Sequence, residues 1–158
     1  MPFIMEKEII IKYRECRLAD LDESERRVLD AAIEATDTAY APYSNFHVGA
    51  ALLMDDGKIV KGSNQENVAY PSGLCAERTA LFSAGVSHSG MAVRTLAIVA
   101  RNPEGKLVAA LPCGACRQVM AEQQSRQGSP MRVICYCSDE KLLVFENIES
   151  LLPFGFDM

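Results

Sequence analysis

The sequence predicts a layered α/β/α domain built on a mixed sheet of about five strands. Three observations predict it. Apolar residues recur at helical spacing between residues 22 and 40. Two short apolar runs, Val48 to Met54 and Ile59 to Lys61, flank a tight-turn sequence. Beyond them, two helical stretches that each open on a cysteine alternate with short apolar strands.

The elements follow in order. Residues 1–21 read as an N-terminal extension in which Ile9 to Tyr13 adds an edge strand, and residues 22–158 as one domain. Asp22 caps the first helix, and Glu25 completes a capping box. Val28, Ala32, Ala35 and Ala39 form its apolar stripe, widened by Leu29 and Ile33, and Pro42 stops it. Asp55-Asp56-Gly57-Lys58 turns the chain between the two runs, so they form an antiparallel hairpin. Cys75 to Ala84 is a helix, Leu96 to Ala100 a buried strand, and Cys113 to Gln124 another helix. Met131 to Tyr136 and Leu142 to Phe145 are strands joined by too few residues for a crossover, hence antiparallel.

Composition narrows the function. The chain has 158 residues, nearly half of them apolar, a net charge of −5 and six cysteines. No basic run offers a track for a phosphate backbone, so a nucleic-acid polymer is not expected as partner. No apolar run is long enough to span a bilayer, and the N-terminus lacks a basic start before a long apolar core. A cytoplasmic protein without a membrane partner is therefore expected. In such a compartment cysteines at ligand spacing read as metal ligands rather than disulfides. Cys135 and Cys137 share one face of a strand and read as small buried residues; Cys16 has no assigned role.

Cys75-Ala76-Glu77 and Pro112-Cys113-Gly114-Ala115-Cys116 carry the chemistry. Three thiolates can hold one Zn²⁺ and leave a fourth position for water, with a carboxylate beside it to move protons. Cys75, Cys113 and Cys116 are the expected ligands and Glu77 the catalytic residue. Cys75 and Cys113 each begin a helix, where free N–H groups and the helix dipole stabilise a thiolate. Taken alone, Glu77 would read as a first-turn acid. Arg78 reads equally as a solvated charge or as a guanidinium bonded to the thiolates. A closed structural zinc site, with Cys135 or Cys137 as fourth ligand, stays open at this point; neither His47 nor His88 has ligand spacing. A Cys-x-Glu ahead of Pro-Cys-x-x-Cys is also the signature of zinc deaminases that act on cytosine or adenine.

Further stretches sharpen that resemblance. They are Tyr40-Ala-Pro-Tyr-Ser-Asn-Phe46, Gly62-Ser-Asn64-Gln-Glu66 with Tyr70-Pro-Ser-Gly-Leu-Cys75, Pro112 to Val119, and Leu151-Leu-Pro153. From about residue 22 to the end, the chain resembles the small, homotetrameric cytidine deaminases. The resemblance implies one Zn²⁺ per subunit, a homotetramer, and a small-molecule nucleoside, cytidine or deoxycytidine, as substrate in pyrimidine salvage. It implies that Asn64 and Glu66 bind the ribose, that Phe46 packs on the pyrimidine and that Tyr70 lines the pocket. It gives the base carbonyl the backbone N–H of Ala76, and places Gln118 behind the metal. Phe156, with Phe154 as rival, would enter a neighbouring subunit's site. Asn64, Glu66 and the Leu-Leu-Pro tail favour a plain nucleoside over another amino-heterocycle. The first twenty or so residues, and Leu111 before Pro112, depart from the family's pattern.

Overall fold

The computed structural model describes residues 1–157; Met158, the last residue of the expected domain, lies outside the described residues. In chain order the elements are β1 (Arg14–Cys16), α1 (Glu23–Ala35), β2 (His47–Met54), β3 (Ile59–Ser63), α2 (Ala76–Ser87), β4 (Val93–Arg101), β5 (Leu107–Val108), α3 (Gly114–Gln127), β6 (Arg132–Ser138) and β7 (Lys141–Phe145). The sheet runs β1-β7-β6-β4-β2-β3, and β5 pairs with β4 beside that path. It has seven strands rather than about five. It is mixed: β4 and β6 are parallel, and the other pairs are antiparallel.

Alternation along the strands builds two cores. Ala50, Leu52 and Met54 of β2 face α2 and α3, joined by Leu96 and Ile98 of β4. Ala51 and Leu53 face the opposite way, against Val28, Leu29 and Ala32 of α1. The expected three-layer arrangement is thus present, with α1 on one face and the two cysteine-bearing helices on the other.

Helix α1 starts as the sequence indicates. Asp22 accepts from the Glu25 backbone N–H at 2.8 Å, and the Glu25 carboxylate accepts from the Asp22 N–H at 3.1 Å. Glu25 is 3% exposed and also pairs with the Arg14 and Arg132 guanidiniums, which fastens the edge strand to the helix. The helix ends at Ala35, well before Pro42. The Thr36 and Thr38 hydroxyls donate to the Ile33 and Ala35 carbonyls, and a 3-10 turn replaces the last helical turn. The edge strand is also displaced from Ile9–Tyr13 to Arg14–Cys16. Arg14 lies opposite Val144, and β7 stops one residue later at Phe145, so residues upstream of Tyr13 have no strand to pair with. Tyr13 instead packs its ring on Phe145, centroids 5.7 Å apart.

Because β2 is antiparallel to both β3 and β4, the strands β3, β4 and β6 all point one way. Helix α2 crosses from β3 to β4 and α3 from β4 to β6, both on one face. Each helix runs back against its strands, so both N-termini arrive at the same end of the sheet.

Gly62 sets how closely α2 can sit. A Cβ there would lie 2.4 Å from the Ala80 nitrogen and 2.6 Å from the Ala76 carbonyl oxygen. Both are backbone atoms of the first two turns of α2, so the helix itself would have to move. Gly62→Ala is expected to lower the melting temperature by several degrees and to weaken zinc binding, since α2 follows directly on Cys75. Differential scanning calorimetry and a zinc assay on the same sample check both effects.

Candidate active site

The two helix N-termini bring three sulfurs together. Cys75 caps α2, Cys113 caps α3, and Cys116 lies one turn into α3. Their Sγ atoms all lie within 4.8 Å of one another, and Cys75 and Cys113 are 3.9 Å apart. Sulfurs at about 2.3 Å from a tetrahedral zinc sit about 3.8 Å apart, so the spacing suits that ion. Neither capping cysteine uses its side chain to cap its helix, which leaves both sulfurs free to turn toward the cluster.

No further His, Cys, Asp or Glu joins this group among the described residues. Cys135, a candidate fourth ligand of a closed site, is fully buried in the core, where burial pushes its thiol up to about 12. That is the behaviour of a packing thiol. All six cysteines are free. In the cluster, hydrogen bonding with Cys116 and then with Arg78 outweighs burial and draws the Cys75 thiol down to about 5. Cys116 moves the opposite way, because it holds the proton in that bond and is the more buried of the two. The Arg78 Nη2 donates to the Cys75 sulfur at 3.5 Å.

Glu77 lies beside the sulfurs without joining them. It is 2% exposed, and its Oε2 has no hydrogen-bond partner. Burial, with the nearby Cys75 charge adding to it, pushes the carboxyl up to about 7. A buried acid with a free oxygen, poised near neutrality, is suited to taking and returning a proton.

A cavity of about 680 Å³ opens onto these groups. Phe46, Asn64, Glu66, Tyr70, Cys75, Ala76, Glu77, Arg78 and Cys113 all line it. Ala76 is the first residue of α2, where a backbone N–H has no intrahelical acceptor and can serve a ligand. Tyr70 is largely exposed and meets Tyr43 edge-on at 6.1 Å.

Asn64 and Glu66 have tasks that their residue types did not announce. The Asn64 side chain accepts from the Val48 N–H at 2.8 Å and donates to the Phe46 carbonyl at 2.9 Å. Glu66 Oε1 accepts from the Tyr43 and Ser44 N–H groups at 3.1 and 3.2 Å. Both side chains therefore hold the segment that presents Phe46 to the cavity.

Two further expected residues lie outside the cavity lining. Gln118 is half-buried, and its amide donates to the Phe156 carbonyl at 2.9 Å. Phe156 and Phe154 are 75% and 94% exposed, and neither lines this chain's own cavity. Sequence reasoning missed Tyr43, Leu74 and Ile98 in the cavity wall, and Arg117 behind it. Tyr43, Leu74 and Arg117 fall within the Tyr40–Phe46, Tyr70–Cys75 and Pro112–Val119 stretches and were within reach of the sequence; Ile98 carries no local signal of its own.

Comparison with known proteins agrees with this geometry. Residues 22–129 match the family model of the cytidine and deoxycytidylate deaminase zinc-binding region. The chain is similar to a cytidine deaminase of Halalkalibacterium halodurans, 50% identical over 95 residues that cover 60% of this chain and 68% of that one. It is 54% identical to a cytidine deaminase of Sporosarcina psychrophila over 56% of this chain and 62% of that relative. Among solved structures, cytidine deaminase from Burkholderia pseudomallei is 40% identical, with a TM-score of 0.69 over 82% of this chain and 97% of that one. The Mycobacterium tuberculosis enzyme is 35% identical, with a TM-score of 0.65 over 87% of this chain and 100% of that one. Matched from Asp22 to Ser129 by the family's zinc-binding region, and over nearly the whole length of solved relatives, the chain belongs to the cytidine and deoxycytidylate deaminase family.

Proposed function

We propose that the protein catalyses zinc-dependent hydrolytic deamination of cytidine and deoxycytidine, giving uridine and deoxyuridine with release of ammonia. The observation that carries this reading is the buried, unpartnered Glu77 carboxyl beside a three-sulfur cluster at the wall of a nucleoside-sized cavity. The donor set fits Zn²⁺: three sulfurs, with no fourth protein ligand among the described residues. When held by Cys75, Cys113 and Cys116, the ion supplies the Lewis acidity that lets a water molecule lose a proton near neutrality.

The chain's own residues do the rest. Glu77 takes that proton and delivers it to N3 of the cytosine ring, which makes C4 electrophilic. The hydroxide so formed adds to C4. Glu77 then takes the proton of the new C4 hydroxyl and passes it to the amino group, the C4–N bond breaks as the C4 carbonyl forms, and ammonia leaves. Arg78 draws charge from the thiolate sulfur of Cys75 and so keeps the site from becoming too electron-rich. The Ala76 N–H donates to the base carbonyl, Phe46 packs on the ring, and Tyr70 closes the side of the cavity. The Glu66 Oε2 and the remaining capacity of the Asn64 amide meet the sugar hydroxyls.

The same reading makes the protein a homotetramer and a cytoplasmic enzyme of pyrimidine salvage. Six free cysteines suit a reducing compartment, and no helix among the described residues is long and apolar enough to cross a membrane. The exposed Phe154 and Phe156 suit a tail that meets a neighbouring subunit.

Ammonia release from cytidine and from deoxycytidine, by purified protein assayed for zinc, tests the proposal. Turnover of neither substrate by zinc-loaded protein would overturn it. Asn64→Ala separates binding from chemistry. It frees the Phe46 segment and leaves a carbonyl and an N–H without partners. The expected result is a KM for cytidine raised about tenfold with a smaller change in kcat.

A further inference from the structure

Of the three sulfur-bearing residues, Cys113 has the weakest local support. Cys116 is fully buried within α3. Cys75 follows Leu74, which exchanges two backbone hydrogen bonds with Gln65, both at 2.9 Å, and the Thr79 hydroxyl donates to the Cys75 carbonyl. Cys113 is exposed, as are Leu111 and Gly114, and Pro112, though buried, has no N–H to anchor the loop.

One side chain supplies what the loop lacks. The Arg117 Nε donates to the Pro112 carbonyl at 2.8 Å, and its backbone N–H donates to the Cys113 carbonyl at 3.0 Å. Both carbonyls flanking the Cys113 Cα are therefore held by one residue. The other end of the guanidinium is anchored: Nη1 donates to the Leu151 carbonyl at 2.9 Å. Leu151 is 6% exposed and packs with Ile148 in the core beneath α3. The guanidinium is a rigid planar fork, so it fixes the distance between its two acceptors in a way a flexible ammonium does not.

We propose that Arg117 is a positioning residue for the metal site, clamping the Pro112–Cys113 loop to the C-terminal Leu151 segment so that the Cys113 sulfur is held where the ion needs it. The proposal rests on the reading of the three cysteines as zinc ligands. It gives the Leu-Leu-Pro segment of the tail a task within its own chain: its first carbonyl is the fixed point from which the metal loop is hung. Arg117 touches neither the sulfurs nor the cavity, so its effect on chemistry passes through ligand placement alone.

The test measures zinc release into excess chromophoric chelator from the zinc-loaded full chain and from Arg117→Met, Arg117→Lys and Arg126→Met. Methionine keeps much of the stem but no donor. Lysine keeps the charge but cannot bridge two carbonyls. Arg126, bonded to Gln123 near the end of the same helix, controls for loss of an arginine from α3. Arg117→Met is expected to release zinc at least tenfold faster than the parent, Arg117→Lys to fall between them, and Arg126→Met to match the parent. With cobalt in place of zinc, Arg117→Lys should also shift the thiolate-to-metal charge-transfer band, which a role in stability alone would not move. If Arg117→Met does not fold, Arg117→Lys decides by the same two readouts. Release within twofold of the parent and an unshifted cobalt spectrum in the folded variant would overturn the clamp while leaving the zinc site intact. A parent protein that takes up no zinc would overturn both.

Discussion

Glu77→Gln is expected to keep its zinc and lose about 10²- to 10⁴-fold in kcat for cytidine, the range that a positioned general acid–base group contributes. The amide fills the same volume at a site that is 2% exposed, so packing and the sulfur cluster should be undisturbed. It cannot take a proton from water or hand one to a ring nitrogen. Steady-state kinetics beside a zinc assay on one preparation give the answer, and near-normal turnover would remove Glu77 from the mechanism. The substitution also has a signature in stability. Burial raises the carboxyl to about 7 in the folded metal-free protein, above its ordinary 4.5. The folded state therefore favours the protonated acid, and stability is lost as pH rises from the ordinary value through the raised one. Glutamine does not titrate. In the presence of chelator, the two proteins should be closest at pH 4.5 and below. By pH 8 the glutamine form should lead by at most about 3 kcal/mol in urea denaturation, from a shift of 4.5 to about 7.

Replacing any one cluster cysteine by serine is expected to abolish stoichiometric zinc and with it the activity. A hard, un-ionised hydroxyl is a poor substitute for a thiolate, and two sulfurs do not hold the ion against a chelator. The three variants should differ in how well they fold. Cys116 is fully buried against Met120 and the sheet, so its serine leaves a hydroxyl in the core and should lower the melting temperature most. Cys75 is half-buried and should come next. Cys113 is exposed, and its serine should match the zinc-free parent. Metal content by atomic absorption and melting curves on the same three proteins check the order; full zinc in all three would end the ligand assignment.

Much of this was legible in the chain because the relevant interactions are local. Asp22 and Glu25 lie three residues apart, and the box they form needs nothing distant. The β2–β3 hairpin and the β6–β7 pair turn within a few residues, so turn composition for the first and the short connection for the second were enough to give their direction. Gly57 adopts the positive φ that the hairpin turn requires. Cys113 and Cys116 share a helix face, and only Cys75 had to be brought from another element. What escaped was set by partners far away along the chain. The edge strand falls at Arg14 because β7 ends where it does. Strand β5 has two residues and exists only because β4 offers a free stretch of backbone. Asn64, Glu66 and Arg117 all bond to main-chain atoms, and an N–H or carbonyl has no identity in a sequence.

The paired crossovers have a consequence for how this architecture can grow. Strands β3 and β4 are separated by β2 alone, about 9.6 Å across two strand spacings. That is close to the roughly 8 to 10 Å at which two helices pack, so α2 and α3 rest on the sheet and on each other without conflict. An extra strand between β3 and β4 would part the helices by about 4.8 Å. The sulfurs would then be too far apart for a shell in which they sit about 3.8 Å from one another. The donor set thus restricts the sheet to one strand at that place. Additions are free where they leave this spacing alone, as at the edge beyond β6, where β7 and β1 extend the sheet.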